Sequence, residues 1–299
     1  MAAFHALREQ RTEENMARER GASDIHDLIG RLRDTFGKDF SSYRLTCLER
    51  RLALRMSTLG VKTIDAYIAY LNENPDEIEQ LLNAVTIHVT EFFRDRDVYA
   101  VLSREIIPEI VAKKLASSWR HVRVWSAGCS TGEEAYSIAI TFMRYIEAAG
   151  IALDLEVFGT DISREACSAA RKGVYPEGRI ASVAPNLRER YFEPVESGYR
   201  VSPQLRRTVK FSVHDLFSAP PYSLLDVIVC RNVLIHFDHS ARNGVLARFH
   251  AALGDDGILM LGKSEAVAGG ATELFELRDP KNKIYRKRSS VPAPEGGRT

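Results

Sequence analysis

The residues best equipped for chemistry lie in one run, Val124-Trp125-Ser126-Ala127-Gly128-Cys129-Ser130-Thr131-Gly132-Glu133-Glu134-Ala135-Tyr136-Ser137. An apolar segment enters a loop of small residues, and the loop enters an amphipathic helix. Glycine lets a backbone approach a ligand closely. A helix start offers free N–H groups, and two carboxylates stand ready for a cation. This mixture suits a nucleotide with a positively charged amino-acid tail better than one with a pyrophosphate. S-adenosylmethionine (SAM) is such a molecule. Thr131-x-x-Glu134 and Ser130-x-x-Glu133 also fit capping boxes. One glutamate can therefore cap while the other holds the ammonium, and the sequence does not say which.

Three further groups share this chemistry. Asp161 ends the segment Leu155–Thr160, where an acid typically accepts from ribose hydroxyls; Asp161 or Ser163 could equally cap the helix that follows. Cys230-Arg231-Asn232-Val233-Leu234-Ile235-His236-Phe237 follows the apolar run Leu225–Val229, and its polar residues would floor a site at a strand exit. His214-Asp215-Leu216 follows 209–213, placed to read an adenine edge. Upstream, Thr90-Glu91-Phe92-Phe93-Arg94-Asp95 puts two aromatics beside a threonine and an arginine, to close over a ligand or to pack as a hinge.

These residues need a scaffold, and the periodicity supplies two. Residues 23–90 read as helical, with apolar residues at helical spacing over about 41–59 and 63–71 and from Pro75 to Val85. A helix resumes after Arg94 and serves as a linker over 91–120. From Val122 strands alternate with helices: 122–126, 155–160, 209–213, 225–230 and 258–261 as strands, 132–148, 164–171 and 240–252 as helices. This alternation predicts a mostly parallel sheet over 121–288. Segment 191–207 interrupts it, with 198–201 and 205–207 read as short antiparallel strands. Residues 283–287 read as a last antiparallel strand, and 1–22 and 289–299 as mobile tails.

Arg44, Arg51 and Arg55 on the helix 41–59 fall within about 40° of one another at ~100° per residue, a face suited to an acidic protein partner. Globally, 41 basic residues balance 40 acidic ones, so no polyanion footprint is expected. No apolar run approaches the roughly 18 residues of a membrane span. The amino terminus is polar, without a signal-peptide core. Cys47, Cys129, Cys167 and Cys230 lack metal spacing and read as reduced, in a cytoplasmic protein. Ala219-Pro220-Pro221-Tyr222 echoes a DNA amino-methyltransferase signature, but it lacks the acid or amide and precedes its strand. A nucleic-acid methyltransferase is therefore the weaker alternative.

Together, Thr90–Arg94, Val124–Glu134, Thr160–Ile162 and Cys230–Phe237 resemble the CheR family of chemotaxis receptor methyltransferases, in order and in spacing. The resemblance implies an amino-terminal all-α domain (23–90) for receptor recognition. It implies a Rossmann-like SAM-dependent methyltransferase domain (121–288) with an inserted antiparallel β-subdomain at about 191–207. It implies that His88, Thr90, Arg94, Ala127, Gly128, Glu133 or Glu134, Asp161, Ile162, Asp215, Leu216, Arg231 and Asn232 line the SAM site, and that S-adenosylhomocysteine is the product. The acceptor would be a glutamate on a helical segment of a methyl-accepting chemotaxis receptor, docked by Arg44, Arg51 and Arg55. Arg94 and His236 would orient it, with no metal, no membrane insertion and a monomeric enzyme. Three positions depart from the family pattern: His88 and Asp215 stand for asparagines, and His236 stands for a tyrosine. A non-catalytic SAM-binding adaptor is the alternative those departures keep open.

Overall fold

The computed structural model describes residues 25–36, 39–86 and 89–289. The chain divides into two compact units, one up to Ile87 and one from His88.

The first unit is helical: α1 over 25–36, α2 (Leu45–Leu59), α3 (Ile64–Glu73) and α4 (Glu77–Val85). Leu48, Leu52 and Met56 form the buried stripe of α2, at the spacing that places side chains on one helix face. Gly60, in the left-handed region at φ +72°, ends that helix. The Thr63 side chain caps α3 by accepting from the Ala66 N–H.

Glu77 is only 5% exposed. It accepts from Nε and Nη2 of Arg55 and, at 2.9 Å, from the Tyr67 hydroxyl. A buried carboxylate needs such partners, because leaving water unpaired costs several kcal/mol. The expectation of three free guanidinia is corrected here: Arg55 is committed to Glu77 inside the unit. Arg44 is exposed at the start of α2, and Arg51 is half-buried, with its Nε unpartnered among the described residues.

The second unit opens with the stretch expected to be a linker. It is instead part of that unit's core, through Phe92, Val98, Tyr99, Leu102, Ile106 and Ile107. The helix runs as α5 (Arg96–Val101), a π turn (Leu102–Ile106) and α6 (Ile107–Ala116). Pro108 explains the wide turn. It has no N–H to give to the carbonyl four residues back, and its ring crowds that carbonyl. The Ile107 N–H reaches back five residues to Leu102 instead.

The main sheet has seven strands: β1 (His121–Ala127), β2 (Asp154–Asp161), β6 (Val209–Val213), β7 (Leu225–Cys230), β8 (Leu253–Leu261), β9 (Phe275–Asp279) and β10 (Ile284–Lys287). Their order is β6-β2-β1-β7-β8-β10-β9. The pairs from β6 through β8 are parallel, and β10 runs antiparallel to both its neighbours. Helices α7 (Glu133–Ala148), α8 (Arg164–Lys172) and α12 (His239–Ala252) supply the crossovers. The winding reverses between β1 and β7, so the carboxyl ends of those strands frame the crevice where doubly wound sheets take ligands.

A second sheet joins β3 (Val174–Tyr175), β5 (Gly198–Val201) and β4 (Phe192–Val195), all antiparallel. This corrects the expected insert in two ways. Its third strand comes from 174–175, ahead of two short helices, α9 (Glu177–Ile180) and α10 (Pro185–Tyr191). Residues 205–207 are not a strand but lie in α11 (Pro203–Thr208), because Ser202 caps that helix through the Leu205 N–H and Pro203 opens it.

Candidate active site

The loop after β1 turns through two glycines in the left-handed region, Gly128 at φ +78° and Gly132 at φ +97°. The Gly128 and Cys129 N–H groups both reach the Thr160 carbonyl at 2.8 Å, tying the loop to the end of β2. A Cβ on Gly128 would lie 2.5 Å from Cγ2 of Val233, so glycine alone lets this loop pass the loop after β7. Gly132 is itself the N-cap of α7 and no side chain caps that helix. Neither expected capping box forms.

That outcome separates the two glutamates. Glu133 is fully enclosed; it accepts from the Thr131 hydroxyl at 2.7 Å and pairs with Arg179 at 3.0 Å. Arg179 also donates to the Thr90 carbonyl at 2.8 Å, which fastens the 90–95 stretch to the start of α7. Glu134 is only half-buried, and it accepts from Ser126 at 2.8 Å and from Arg231 at 3.5 Å. Burial raises both carboxyls above their usual range, opposed by Thr131 and Arg179 at Glu133 and by Arg231 and Ser126 at Glu134. Of the two, only Glu134 has a side chain that is not fully enclosed, at 12% exposure, against 0% for Glu133.

Asp161 is 8% exposed, and each of its oxygens accepts one backbone N–H: Ser130 at 2.8 Å and Ser163 at 3.0 Å. Ser163 performs the capping of α8, through Ala166. A carboxylate has about four acceptor positions, so two remain for hydroxyl donors such as those of a ribose. The next strand exit joins here, since the His214 N–H bonds the Asp161 carbonyl at 3.0 Å. Asp215 closes a turn onto the Phe217 N–H, and Leu216 is buried. Phe217 packs on Phe237 at 4.8 Å between ring centres, holding the 214–217 loop against the loop after β7.

Arg231 is 6% exposed and bridges two acids, Glu134 on α7 and Asp95 at the head of α5. It is therefore a brace between elements. Asn232 sits at φ +61°, and its Oδ1 is buried without a partner among the described residues. The Nε2 of His214 is in the same state. Burial lowers the His214 pKa, against the opposing pull of Asp215. His236 lies half-buried in the turn Leu234–His236.

Arg94 is half-buried and donates to the Val89 carbonyl at 3.0 Å; it pairs with no acid among the described residues. The two aromatics beside it have different fates. Phe92 is core, edge-on to Tyr175 and Phe192, whereas Phe93 is half-buried against Tyr99. Thr90 and Ile162 are half-buried, and Ala127 is enclosed at the end of β1. His88 lies outside the described residues.

Sequence reasoning missed Arg179 and Glu265. Glu265 is 4% exposed. Its carboxylate accepts from the N–H groups of Asn232 and Val233 (2.9 Å each), Ile235 (3.3 Å) and Gly262 (2.6 Å). Burial raises its pKa and those four donors counter the rise. A lone glutamate thirty residues downstream carries no spacing signal. Orphaned Asn232 Oδ1 and His214 Nε2, the spare acceptor capacity of Asp161 and Glu134 and the Gly128 cradle fit SAM.

Two family models match the chain: the CheR methyltransferase all-alpha domain over 17–86 and the CheR methyltransferase SAM binding domain over 88–284. The chain is 32% identical over 251 residues to a chemotaxis protein methyltransferase of Borreliella burgdorferi, covering 82% of this chain and 89% of that one. It is 35% identical over 238 residues to a chemotaxis protein methyltransferase of Salmonella typhimurium, covering 76% and 78%. It is also 34% identical over 256 residues to an uncharacterized 104.1 kDa protein of Rhodobacter capsulatus, covering 86% of this chain but 27% of that protein.

Proposed function

We propose, from the premise that this chain belongs to the CheR methyltransferase family, that it methylates glutamate side chains of chemotaxis receptors to give methyl esters. The family makes it a SAM-dependent methyltransferase of chemotaxis; the acceptor residue and the receptor are our reading.

SAM, when bound, supplies a methyl group on a positively charged sulfur, an electrophile that needs no further activation. A glutamate acceptor needs none either, since its ordinary pKa of about 4.3 leaves it ionised at neutral pH. The chain is then asked for orientation and water exclusion, and alignment alone can be worth about 7–11 kcal/mol. In this reading Glu134 and Asn232 hold the amino-acid end of the cofactor, Asp161 the ribose, and Asp215 and Leu216 the base. His236 shapes the acceptor side of the pocket.

The observation that carries the acceptor assignment is Arg94. Its half-buried guanidinium has no carboxylate partner among the described residues, although Arg231, Arg179 and Arg55 each have one. We assign it to hold one oxygen of the incoming carboxylate; a tight two-oxygen grip would dull the nucleophile. Arg44 and Arg51 are the candidate docking cations on α2.

The test uses methyl-labelled SAM and membranes carrying chemoreceptors. We expect label on receptor protein that mild alkali releases as methanol. Alkali-stable label would overturn the ester, and absence of label in the presence of bound SAM would overturn the enzymatic reading. Arg94→Ala should lower kcat at least tenfold, by the loss of one charged hydrogen bond worth about 1.5–3 kcal/mol.

A further inference from the structure

A second cavity, of about 470 Å³, opens in the second unit among α7, α8, α11 and the edge strand β6. Arg171, Arg206, Arg207 and Lys210 line it, over the rings of Tyr136 and Phe211, and no carboxylate does. Lys210 is already neutralised by Glu156 on β2. The Nε of Arg171 is spent on the Phe211 carbonyl at 3.1 Å, which fixes that side chain while leaving its two outer nitrogens. Arg206 and Arg207 are exposed and pair with no acid among the described residues.

A lysine on an edge strand is a common guard against edge-to-edge pairing, and that accounts for Lys210. It does not account for two adjacent arginines on α11 converging with a third on α8. Guanidinium groups in a fork match phosphate oxygens bidentately. The half-buried Phe211 ring offers an apolar face to a flat body beside them. The volume admits a mononucleotide, and the cavity opens broadly to solvent. None of these residues belongs to the SAM crevice.

We infer that this cavity is a binding site for a small phosphorylated molecule of nucleotide size, with Arg171, Arg206 and Arg207 on the phosphate. The whole chain is tested by calorimetry with saturating S-adenosylhomocysteine present, so that the SAM crevice is filled. Guanosine 5′-monophosphate and inorganic pyrophosphate serve as probes, against the wild type and the variant Arg206→Gln/Arg207→Gln. We expect saturable binding that weakens with added salt and falls roughly tenfold or more in the variant, while S-adenosylhomocysteine affinity is unchanged. A stronger response to the nucleotide than to pyrophosphate would assign the Phe211 face to the base. No saturable heat from either probe, or equal affinity in both proteins, overturns the site. Binding of a glutamate-rich peptide in place of both probes overturns the ligand class.

Discussion

Gly128 shows how much one hydrogen atom decides. Its backbone is in the left-handed region, and the space where a side chain would start is filled by Val233. Gly128→Ala should push the loop after β7 away and weaken S-adenosylhomocysteine binding more than tenfold, measured by calorimetry. Adding Val233→Ala should restore part of the loss, the rest being backbone strain of about 1–2 kcal/mol. Equal affinity in the single variant would refute the contact. His214 offers a pH handle. Its folded pKa is lowered from 6.5 by burial, so the unfolded chain takes up the proton first. Its contribution to stability is full above about pH 6.5 and is lost as pH falls toward the depressed value. Denaturant midpoints of wild type and His214→Gln, compared from pH 8 to pH 5, should converge as pH falls. A constant difference would mean that His214 does not titrate differently on folding.

At the scale of elements, Glu265 organises the loop that carries Asn232. Glutamine in its place has one acceptor oxygen where four N–H groups point, and its own amide would face donors. Each stranded N–H costs about 1–3 kcal/mol. Glu265→Gln should therefore raise hydrogen exchange at 232–235 and weaken S-adenosylhomocysteine binding; unchanged protection there would contradict the assigned role. The elements also show what a sequence discloses. Strand β7 stands out as an apolar run with an abrupt polar exit, and the alternation of strands with helices from Val122 made the parallel sheet readable. Glu133 and Glu134 were indistinguishable, because the choice depends on Arg179 and Arg231, which arrive from distant segments. Residues 205–207 looked like strand because Leu-Arg-Arg has no period of its own; the Ser202-Pro203 start was the signal that outweighed it. Arg55 looked free because Glu77, its partner, lies on another helix.

For the whole molecule, a net charge of +1 conceals uneven placement. Arg44 and Arg51 on the first unit are the cations proposed to meet an acidic receptor helix. Exposed charge pairs are screened beyond about 8–10 Å at ordinary salt. The kcat/KM for receptor methylation should therefore fall as salt rises, and Arg44→Glu/Arg51→Glu should flatten that slope as well as lower the value. S-adenosylhomocysteine affinity should be the same in both. A steep slope surviving in the charge-reversed protein would move receptor docking to another surface.

The widened turn at Leu102–Ile106 amounts to one extra residue spliced into an otherwise regular rod. Everything upstream, including Phe93, Arg94 and Asp95, is thereby rotated by about 100° from where an unbroken α-helix would aim it. Removing the exposed Glu105 would take that splice out. The rod would then either unscrew Asp95 from Arg231 or stretch to keep it. The bearing of the arginine proposed to steer the acceptor is thus set by a proline more than a dozen positions away along the chain.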